Sequence, residues 1–280
     1  MKFKTLEVSV NHRVAVLWLA REAVRNAFNE VSIAELTAAF NQFGHDDAVR
    51  AIVLAAQGPA FCAGADLDWM RRMAGYSNAE NQADAMKLAT MLRTIYECPK
   101  PVIARVHGDT YAGGVGLVAA CDISVASLDA SFCLSETKLG LIPATIGPYV
   151  VRAMGANMAR RYFLTAEKFS AGEAYRVGLL HDLAPPEELD GKVNEILGAL
   201  MLTSQNAVAE AKRLVRDLAA RPLDDSLVAD TAQRIADIRT SADGREGIRS
   251  FLDKRKPRWV VEYEAMTEAD DDSARESTRE

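Results

Sequence analysis

The chain has 280 residues, of which 49% are hydrophobic and 26% charged, and its formal net charge is −6. These values predict a globular protein with one large core, and no apolar run approaches the roughly 18 residues of a membrane span. The absence of a basic stripe argues against nucleic-acid binding. The four cysteines form no CxxC pair and no metal-ligand spacing with the four histidines, so we predict free thiols, no metal site and a cytoplasmic location.

The negative charge is concentrated at the C-terminal end of the sequence. Eight acidic and two basic residues lie between Glu262 and Glu280, so the rest of the chain is close to neutral. This segment is polar and lacks apolar anchors. We therefore predict a disordered, solubilising acidic tail over residues 261–280.

The first half of the chain alternates predicted strands with predicted helices. Two strands, LEVSV and VAVLWLA, flank NHR and predict a hairpin. The further predictions, in chain order, are a helix over 31–43, a strand over 51–56, a helix near 79–97, a strand over 101–106, a buried helix over 115–121, and short strands over 123–127 and 131–134. This alternation predicts a largely parallel sheet with both faces covered.

From about residue 145 onward the pattern predicts helices almost throughout. We therefore expect an α/β core over residues 1–200 and a helical region over 201–260. The sequence shows no internal repeat and no linker before the tail.

Two glycine-containing segments each follow a predicted strand and begin a helix. They are GPAFCAGADLDWM at 58–70 and YAGGVGLVAACD at 111–122. This arrangement leaves backbone N–H groups free at a helix N-terminus, where the dipole also favours negative charge. Two such ends side by side could stabilise an oxygen that becomes negative, as in a thioester enolate. The alternative, that Gly113 and Gly114 only permit tight helix packing, stays open.

Glu136 lies between a short apolar strand and an apolar turn in SFCLSETKLGLIPATIGP. Poor solvation of its carboxyl group would raise its pKa and suit proton transfer. The alternative is an exposed glutamate in the first turn of a short helix that Ser135 caps.

Together these segments resemble the enoyl-CoA hydratase/isomerase (crotonase) superfamily. The resemblance covers about residues 5–259 and rests on AFCAGADL, the block from His107 to Asp122, FCLSETKLGLIP, YFLTAEKFSAGEAYRVGLL and FLDKRKPRW. It implies a spiral of ββα units followed by a helical trimerisation region. It also implies a homotrimer, or a hexamer built as a dimer of trimers.

The resemblance implies roles for individual residues. The N–H groups of Ala65 and Gly113 would form an oxyanion hole for a thioester carbonyl, and Glu136 would transfer the proton. The substrate would be an acyl-CoA thioester, with CoA a part of the substrate and no separate cofactor. The residues expected to border CoA are Arg25, Ala63, Gly64, Asp66, Leu67, Phe251 and Lys254, the last two near the adenine and its 3′-phosphate and often supplied by a neighbouring subunit.

Two departures from the family pattern bear on the reaction. The family's hydratases carry a first catalytic glutamate where this chain has Gly116, and PATIGP replaces the usual PGxGG loop. We expect Gly116 to open space for a bulky acyl chain or a water. The nearest resemblance is to bacterial methylglutaconyl-CoA and isohexenylglutaconyl-CoA hydratases.

These features predict an enoyl-CoA hydratase, with a Δ3,Δ2-enoyl-CoA isomerase that uses Glu136 alone as the main alternative. A single-glutamate hydratase–lyase would also suit the motifs, and a non-catalytic acyl-CoA- or RNA-binding scaffold could keep the same fold. Candidates for a second polar group beside Glu136 are Tyr111, Asp109 and Thr145. Candidates for binding a distal carboxylate of the acyl group are Arg71, Arg72 and Tyr149.

Overall fold

The computed structural model describes residues 2–219 and 221–265. The strands are β1 Leu6–Asn11, β2 Val14–Leu19, β3 Ala51–Ala56, β4 Ala60–Cys62, β5 Val102–Val106, β6 Asp109–Tyr111, β7 Ile123–Ser127, β8 Ser131–Cys133, β9 Lys168–Ser170 and β10 Asp182–Ala184. The helices are α1 Glu30–Gly44, α2 Leu67–Met73, α3 Asn78–Glu97, α4 Gly113–Ala120, α5 Gly147–Thr165, α6 Ala171–Arg176, α7 Leu189–Met201, α8 Gln205–Leu218, α9 Asp225–Thr240 and α10 Ala242–Leu252. The prediction of a disordered tail over residues 261–280 is wrong at its start, because Tyr263 packs against the core and its hydroxyl donates to Asn194 Oδ1 at 2.7 Å. From residue 266 on, the predicted tail lies outside the described residues.

The larger sheet has the strand order β1-β2-β3-β5-β7-β10. Its strands run parallel apart from the antiparallel β1–β2 pair. The two residues of that hairpin turn, His12 and Arg13, have φ values of 46° and 66°, and such positive values match the right-handed twist of the flanking strands. The predicted hairpin and parallel sheet are confirmed.

A second, smaller sheet has the order β4-β6-β8-β9, in which β4, β6 and β8 are parallel. The pairs β3–β4, β5–β6 and β7–β8 each contribute one strand to each sheet and are each followed by a helix. This is the spiral of ββα units that the resemblance implies. The expectation of helices almost throughout from residue 145 is confirmed, with the exceptions of the three-residue strands β9, which pairs with β8, and β10, which extends the larger sheet at β7.

The core lies between the larger sheet and the helices. Every residue of β3 is buried, and α1 packs against α3 through a face that includes Leu36 and Phe40. Asn29 caps α1, since its Oδ1 accepts hydrogen bonds from the Val31 and Ser32 N–H groups at 3.1 Å. The four cysteines are free. In the part of the chain that the structure describes, no helix is long and apolar enough to cross a bilayer.

Arg50 joins the core to the C-terminal helical region. The side chain is 4% exposed and faces the C-terminal end of α7. Its guanidinium donates to the carbonyls of Met201 at 3.1 Å and Trp259 at 2.7 Å, and also to those of Leu200 and Thr203. The carbonyls of Leu200, Met201 and Thr203 lie at or just beyond the negative end of the α7 dipole, which favours a cation. The bonds therefore hold the start of β3, the end of α7 and the segment after α10 together.

We expect Arg50→Met to lower the free energy of unfolding by about 3 kcal/mol, because it leaves buried carbonyl groups without donors. Urea denaturation followed by circular dichroism measures the change. The matched control is Arg213→Met, which removes an exposed pair with Glu210 at 2.9 Å and should change stability by less than about 1 kcal/mol. Equal effects of the two substitutions would contradict the role of Arg50.

Candidate active site

The three predicted catalytic positions lie at one edge of the smaller sheet. Strand β4 ends at Cys62, β6 at Tyr111 and β8 at Cys133, and the three strands are parallel neighbours. Ala65, Gly113 and Glu136 follow these strand ends by two or three residues. The carboxyl edge of parallel strands is where ligands commonly bind in α/β folds. The fold thus brings together residues that are more than 70 positions apart.

The loop that carries Ala65 is held by the segment before α1. The Phe28 N–H donates to the Gly64 carbonyl at 2.8 Å, and the Asp66 N–H donates to the Phe28 carbonyl at 3.0 Å. Gly64 has a φ of 89°, and a Cβ there would lie 3.2 Å from the Tyr111 carbonyl oxygen, so glycine permits both the turn and the approach to the next strand end. These two bonds form a parallel bridge between Phe28 and Ala65, so the N–H group of Ala65 itself points away from Phe28.

Helix α4 begins at Gly113 with an open N-terminus. No side chain caps it, and no acidic residue lies in its first turn. Ala112, just before it, has a φ of 46° and a ψ of −115°, an unfavourable conformation for a residue with a Cβ. Among the described residues, neither the Gly113 nor the Ala65 N–H donates to a backbone carbonyl. Both N–H groups are therefore available to an external oxygen, and that of Gly113 carries the positive end of the helix dipole.

Glycine is required at the start of α4 because neighbouring side chains occupy the Cβ positions. A Cβ on Gly113 would lie 2.8 Å from Phe28 Cε1 and closer still to Cζ. A Cβ on Gly114 would lie 2.8 Å from Cys62 Cβ. The glycine pair thus permits tight packing, and it leaves an open N–H group at the same place, so packing is not its only consequence.

Glu136 begins a short 3-10 helix after β8 and is half-buried. Its Oε2 atom is buried without a hydrogen-bond partner among the described residues. Burial raises the pKa of this carboxyl group, and no cation offsets the effect. Ser135 makes no capping bond through its side chain. The interpretation of Glu136 as an exposed, Ser135-capped residue is therefore wrong, and its environment suits proton transfer.

The expectation that Gly116 opens space in the site is wrong. Gly116 is buried, and a Cβ on it would lie 2.7 Å from Ile146 Cβ and closer still to Ile146 Cγ2. Ile146 is 1% exposed. The volume beside Gly116 is filled with hydrocarbon, so neither a water nor a bulkier acyl group has room there.

The residues expected to border CoA fall into two groups. The Ala63 N–H donates to the Arg25 carbonyl at 2.9 Å, so Arg25, which is exposed, lies next to the loop 63–67. Leu67, in the same loop, is 70% exposed although apolar. Phe251 and Lys254 lie at the end of α10, where Phe251 lines a groove of about 540 Å³ together with Trp259. None of the other predicted site residues lines that groove.

Asp66 has a structural role that the sequence analysis did not foresee. Its Oδ1 caps α2 by accepting from the Asp68 N–H at 2.9 Å and the Trp69 N–H at 3.1 Å, and its Oδ2 pairs with Arg21 at 2.8 Å. These donors lower the pKa of the Asp66 carboxyl group despite its burial. The side chain thus caps α2 and fixes the loop, and none of these contacts is with an external group.

The remaining candidates have partners of their own or lie elsewhere. Asp109 accepts from Ser131 and pairs with Lys168 at 3.0 Å. Arg71 pairs with Asp68, Arg72 pairs with Glu30 at 2.6 Å, and all four side chains are exposed. Tyr149 stacks edge-on against Tyr96 in a groove of about 580 Å³ beside the far end of α4. Asp109 Oδ1 thus already accepts two hydrogen bonds, and Arg71 and Arg72 are each already paired with a carboxylate.

The family model for enoyl-CoA hydratase/isomerase matches residues 9–262. The chain is 30% identical to a crotonyl-CoA hydratase of Syntrophomonas wolfei, over 93% of this chain and 99% of that protein. The chain belongs to the enoyl-CoA hydratase/isomerase family. The open N-terminus of α4, Ala65 and Glu136 are thus features of a crotonase fold.

Solved structures agree with this assignment. An enoyl-CoA hydratase from Shewanella pealeana superposes with a TM-score of 0.90 at 41% identity and covers 92% of this chain and 96% of its own. An enoyl-CoA hydratase from Mycobacterium smegmatis gives a TM-score of 0.87 at 35% identity, and the match covers 92% of this chain and 100% of that one. The fold of this crotonase family member is therefore shared along nearly the whole described chain.

Sequence reasoning missed three residues that shape the site. Phe28 packs on Gly113, Ile146 packs on Gly116, and Arg21 pairs with Asp66. The one available signal for Phe28 and Arg21 is their position in REAVRNAF, between β2 and α1 and near the predicted CoA residue Arg25. Nothing in the local pattern of PATIGP indicates that Ile146 points at α4.

We expect Glu136→Gln to raise the melting temperature at neutral pH, because it removes a poorly solvated charge. The raised pKa of Glu136 means that the folded state binds the proton more tightly than the unfolded state, so the ionisation penalty is absent below the unfolded pKa of about 4.3 and complete above the folded pKa. The gain should therefore be present at pH 8 and vanish near pH 4. Thermal unfolding at both pH values measures it, with exposed Glu195→Gln as the control. A gain that does not depend on pH would contradict the desolvation.

Proposed function

We propose that this chain adds water across the 2,3 double bond of a 2-enoyl-CoA thioester. The observation that carries the proposal is a buried, unpartnered carboxylate oxygen of Glu136 at the same sheet edge as two free backbone N–H groups. An enoyl thioester needs both, namely donors for the oxygen that becomes an enolate and a base for water. The names of the family relatives support the same reaction.

The reaction divides into two steps that one carboxylate can perform. In the first, Glu136 accepts a proton from water as the water oxygen bonds to C3, and the negative charge moves to the thioester oxygen held by Ala65 and Gly113. In the second, Glu136 returns a proton to C2 and the carbonyl re-forms. Hydrogen and hydroxyl are both delivered, and the carboxylate is regenerated. Its raised pKa brings its proton affinity closer to what both steps need at neutral pH.

The CoA portion of the substrate is proposed to lie along the loop 63–67, next to Arg25. The exposed cation of Arg25 suits a phosphate, and the apolar surface of Leu67, which is 70% exposed, suits the adenine or the pantetheine chain. Phe251 and Lys254 are proposed to complete this site from a neighbouring subunit of a homotrimer or hexamer. The large apolar side chains that α9 and α10 expose, among them Ile235, Ile248 and Leu252, support such an assembly.

A Δ3,Δ2-enoyl-CoA isomerase is the second candidate, and the lack of an acid at Gly116 favours it. In that reaction Glu136 would take a proton from C2 and return one to C4, while the same two N–H groups hold the dienolate. No water has to be positioned. The two reactions share their catalytic groups but differ in whether water enters and in whether the proton is returned to C2 or to C4.

The test is a panel of CoA esters assayed with the wild type and Glu136→Gln. If the chain is a hydratase, crotonyl-CoA loses its conjugated thioester absorbance, and Glu136→Gln slows that loss by at least about a hundredfold because the proton-transfer group is gone. A 3-enoyl-CoA ester, which gains that absorbance on isomerisation, measures the second candidate. Methylglutaconyl-CoA is the branched, carboxylated member of the panel.

Glu97→Gln is the control variant, since this glutamate lies exposed at the end of α3 and should leave turnover unchanged. Unaltered hydration in Glu136→Gln would contradict the assignment of the base. Turnover of the 3-enoyl ester alone would replace hydratase by isomerase.

A further inference from the structure

The contact between Gly116 and Ile146 lies one helical turn into α4 from the proposed oxyanion N–H of Gly113. Ile146 belongs to the buried core and directly precedes α5. The loop that brings it there starts at Glu136, and several backbone hydrogen bonds hold this loop, two of which span its ends. The Leu141 N–H donates to the Glu136 carbonyl at 3.1 Å, and the Gly147 N–H donates to the Pro143 carbonyl at 2.8 Å. The segment that carries the catalytic carboxylate thus also sets the position of Ile146.

Position 116 is where the resembling hydratases carry their first catalytic glutamate. Here the space into which such a side chain would extend already holds Ile146 Cβ and Cγ2. Gly116 and Ile146 together therefore exclude the second acid. A glutamate at position 116 alone would have its Cβ in steric conflict with Ile146. The acids described near the two ends of α4 have partners elsewhere, because Asp109 pairs with Lys168 and Asp122 pairs with Lys212 at 2.7 Å.

We propose that Ile146 determines the reaction specificity of this site by occupying the volume of a second carboxylate and excluding water from that side of the acyl group. The inference rests on the proposed function, because it concerns the rate of hydration relative to isomerisation, both of which use Glu136. Hydration needs a water that Glu136 holds alone, whereas isomerisation needs none. Ile146 therefore slows hydration relative to isomerisation.

The packing part of the inference is tested by a double-mutant cycle in thermal unfolding. Gly116→Ala lowers the melting temperature of the wild type by several degrees, because its Cβ overlaps Ile146. Ile146→Gly clears the space, whereas Ile146→Ala does not, since its own Cβ remains 2.7 Å away. In the Ile146→Gly background, Gly116→Ala then leaves the melting temperature unchanged or raises it.

Gly191→Ala is the matched control for this cycle, because nothing lies within 4 Å of its Cβ position in α7. Its effect is the same in both backgrounds. If Gly116→Ala lowers the melting temperature equally in the wild type and in the Ile146→Gly background, the packing part of the inference is overturned.

The catalytic part is tested with Gly116→Glu combined with Ile146→Gly. The readout is kcat/KM for hydration of crotonyl-CoA divided by kcat/KM for isomerisation of a 3-enoyl-CoA ester. This ratio rises at least about tenfold over that of Ile146→Gly alone, since a second carboxylate can then hold the water. The pH profile of hydration gains a second ionisation.

Gly116→Gln combined with Ile146→Gly is the control, because it has the same bulk without a carboxylate. An equal ratio for the Glu and Gln double variants, each with a cooperative unfolding transition, overturns the inference. If no variant, wild type included, turns over either ester, the proposed function fails and the specificity assigned to Ile146 fails with it, whatever the unfolding cycle shows. Turnover by the wild type with an unchanged ratio in the double variant overturns the inference alone.

Discussion

The close approach of α4 to its neighbours is the constraint on which the site depends. Three of its glycines have no room for a Cβ, and the contacts are Gly113 with Phe28, Gly114 with Cys62 and Gly116 with Ile146. These side chains come from the segment before α1, from β4 and from the loop before α5. Two of these segments also carry or anchor a functional residue, because Phe28 bridges to the loop of Ala65 and the loop of Ile146 starts at Glu136. Packing of α4 thus sets the relative positions of the two N–H groups and the carboxylate.

The same part of the fold contains groups that lack a favourable partner or conformation in the described chain. The open N-terminus of α4 has neither a cap nor an acidic neighbour, Ala112 is held in an unfavourable conformation, and Glu136 keeps one carboxylate oxygen without a partner. Each feature lowers stability when the site is empty. Together they form a site whose donors and base are oriented before the substrate binds, which is the arrangement that stabilises developing charge most strongly.

Much of this arrangement could be predicted from the sequence, and the rest depends on long-range packing. The long elements β3, α1 and α3 have clear apolar patterns and were located within about two residues. The three-residue strands β4, β6, β9 and β10 were missed, since so short a segment has no period and forms only because a neighbour pairs with it. The roles proposed for Ala65, Gly113 and Glu136 rest on sequence motifs. The filling of the space beside Gly116 does not, because nothing local shows that Ile146 reaches α4.

The pair of Gly116 and Ile146 also changes how the missing acid is understood. An open space at that position would make the loss of the glutamate a simple deletion that water could compensate. Because Ile146 fills this space, its packed side chain replaces the glutamate of the family's hydratases. The replacement adds dispersion contacts and removes a hydration site at the same time. The stability gained from the packed contact is inseparable from the loss of a water-holding group. Gly116→Glu alone therefore cannot add a second carboxylate without displacing Ile146, and the proposed chemistry relies on Glu136.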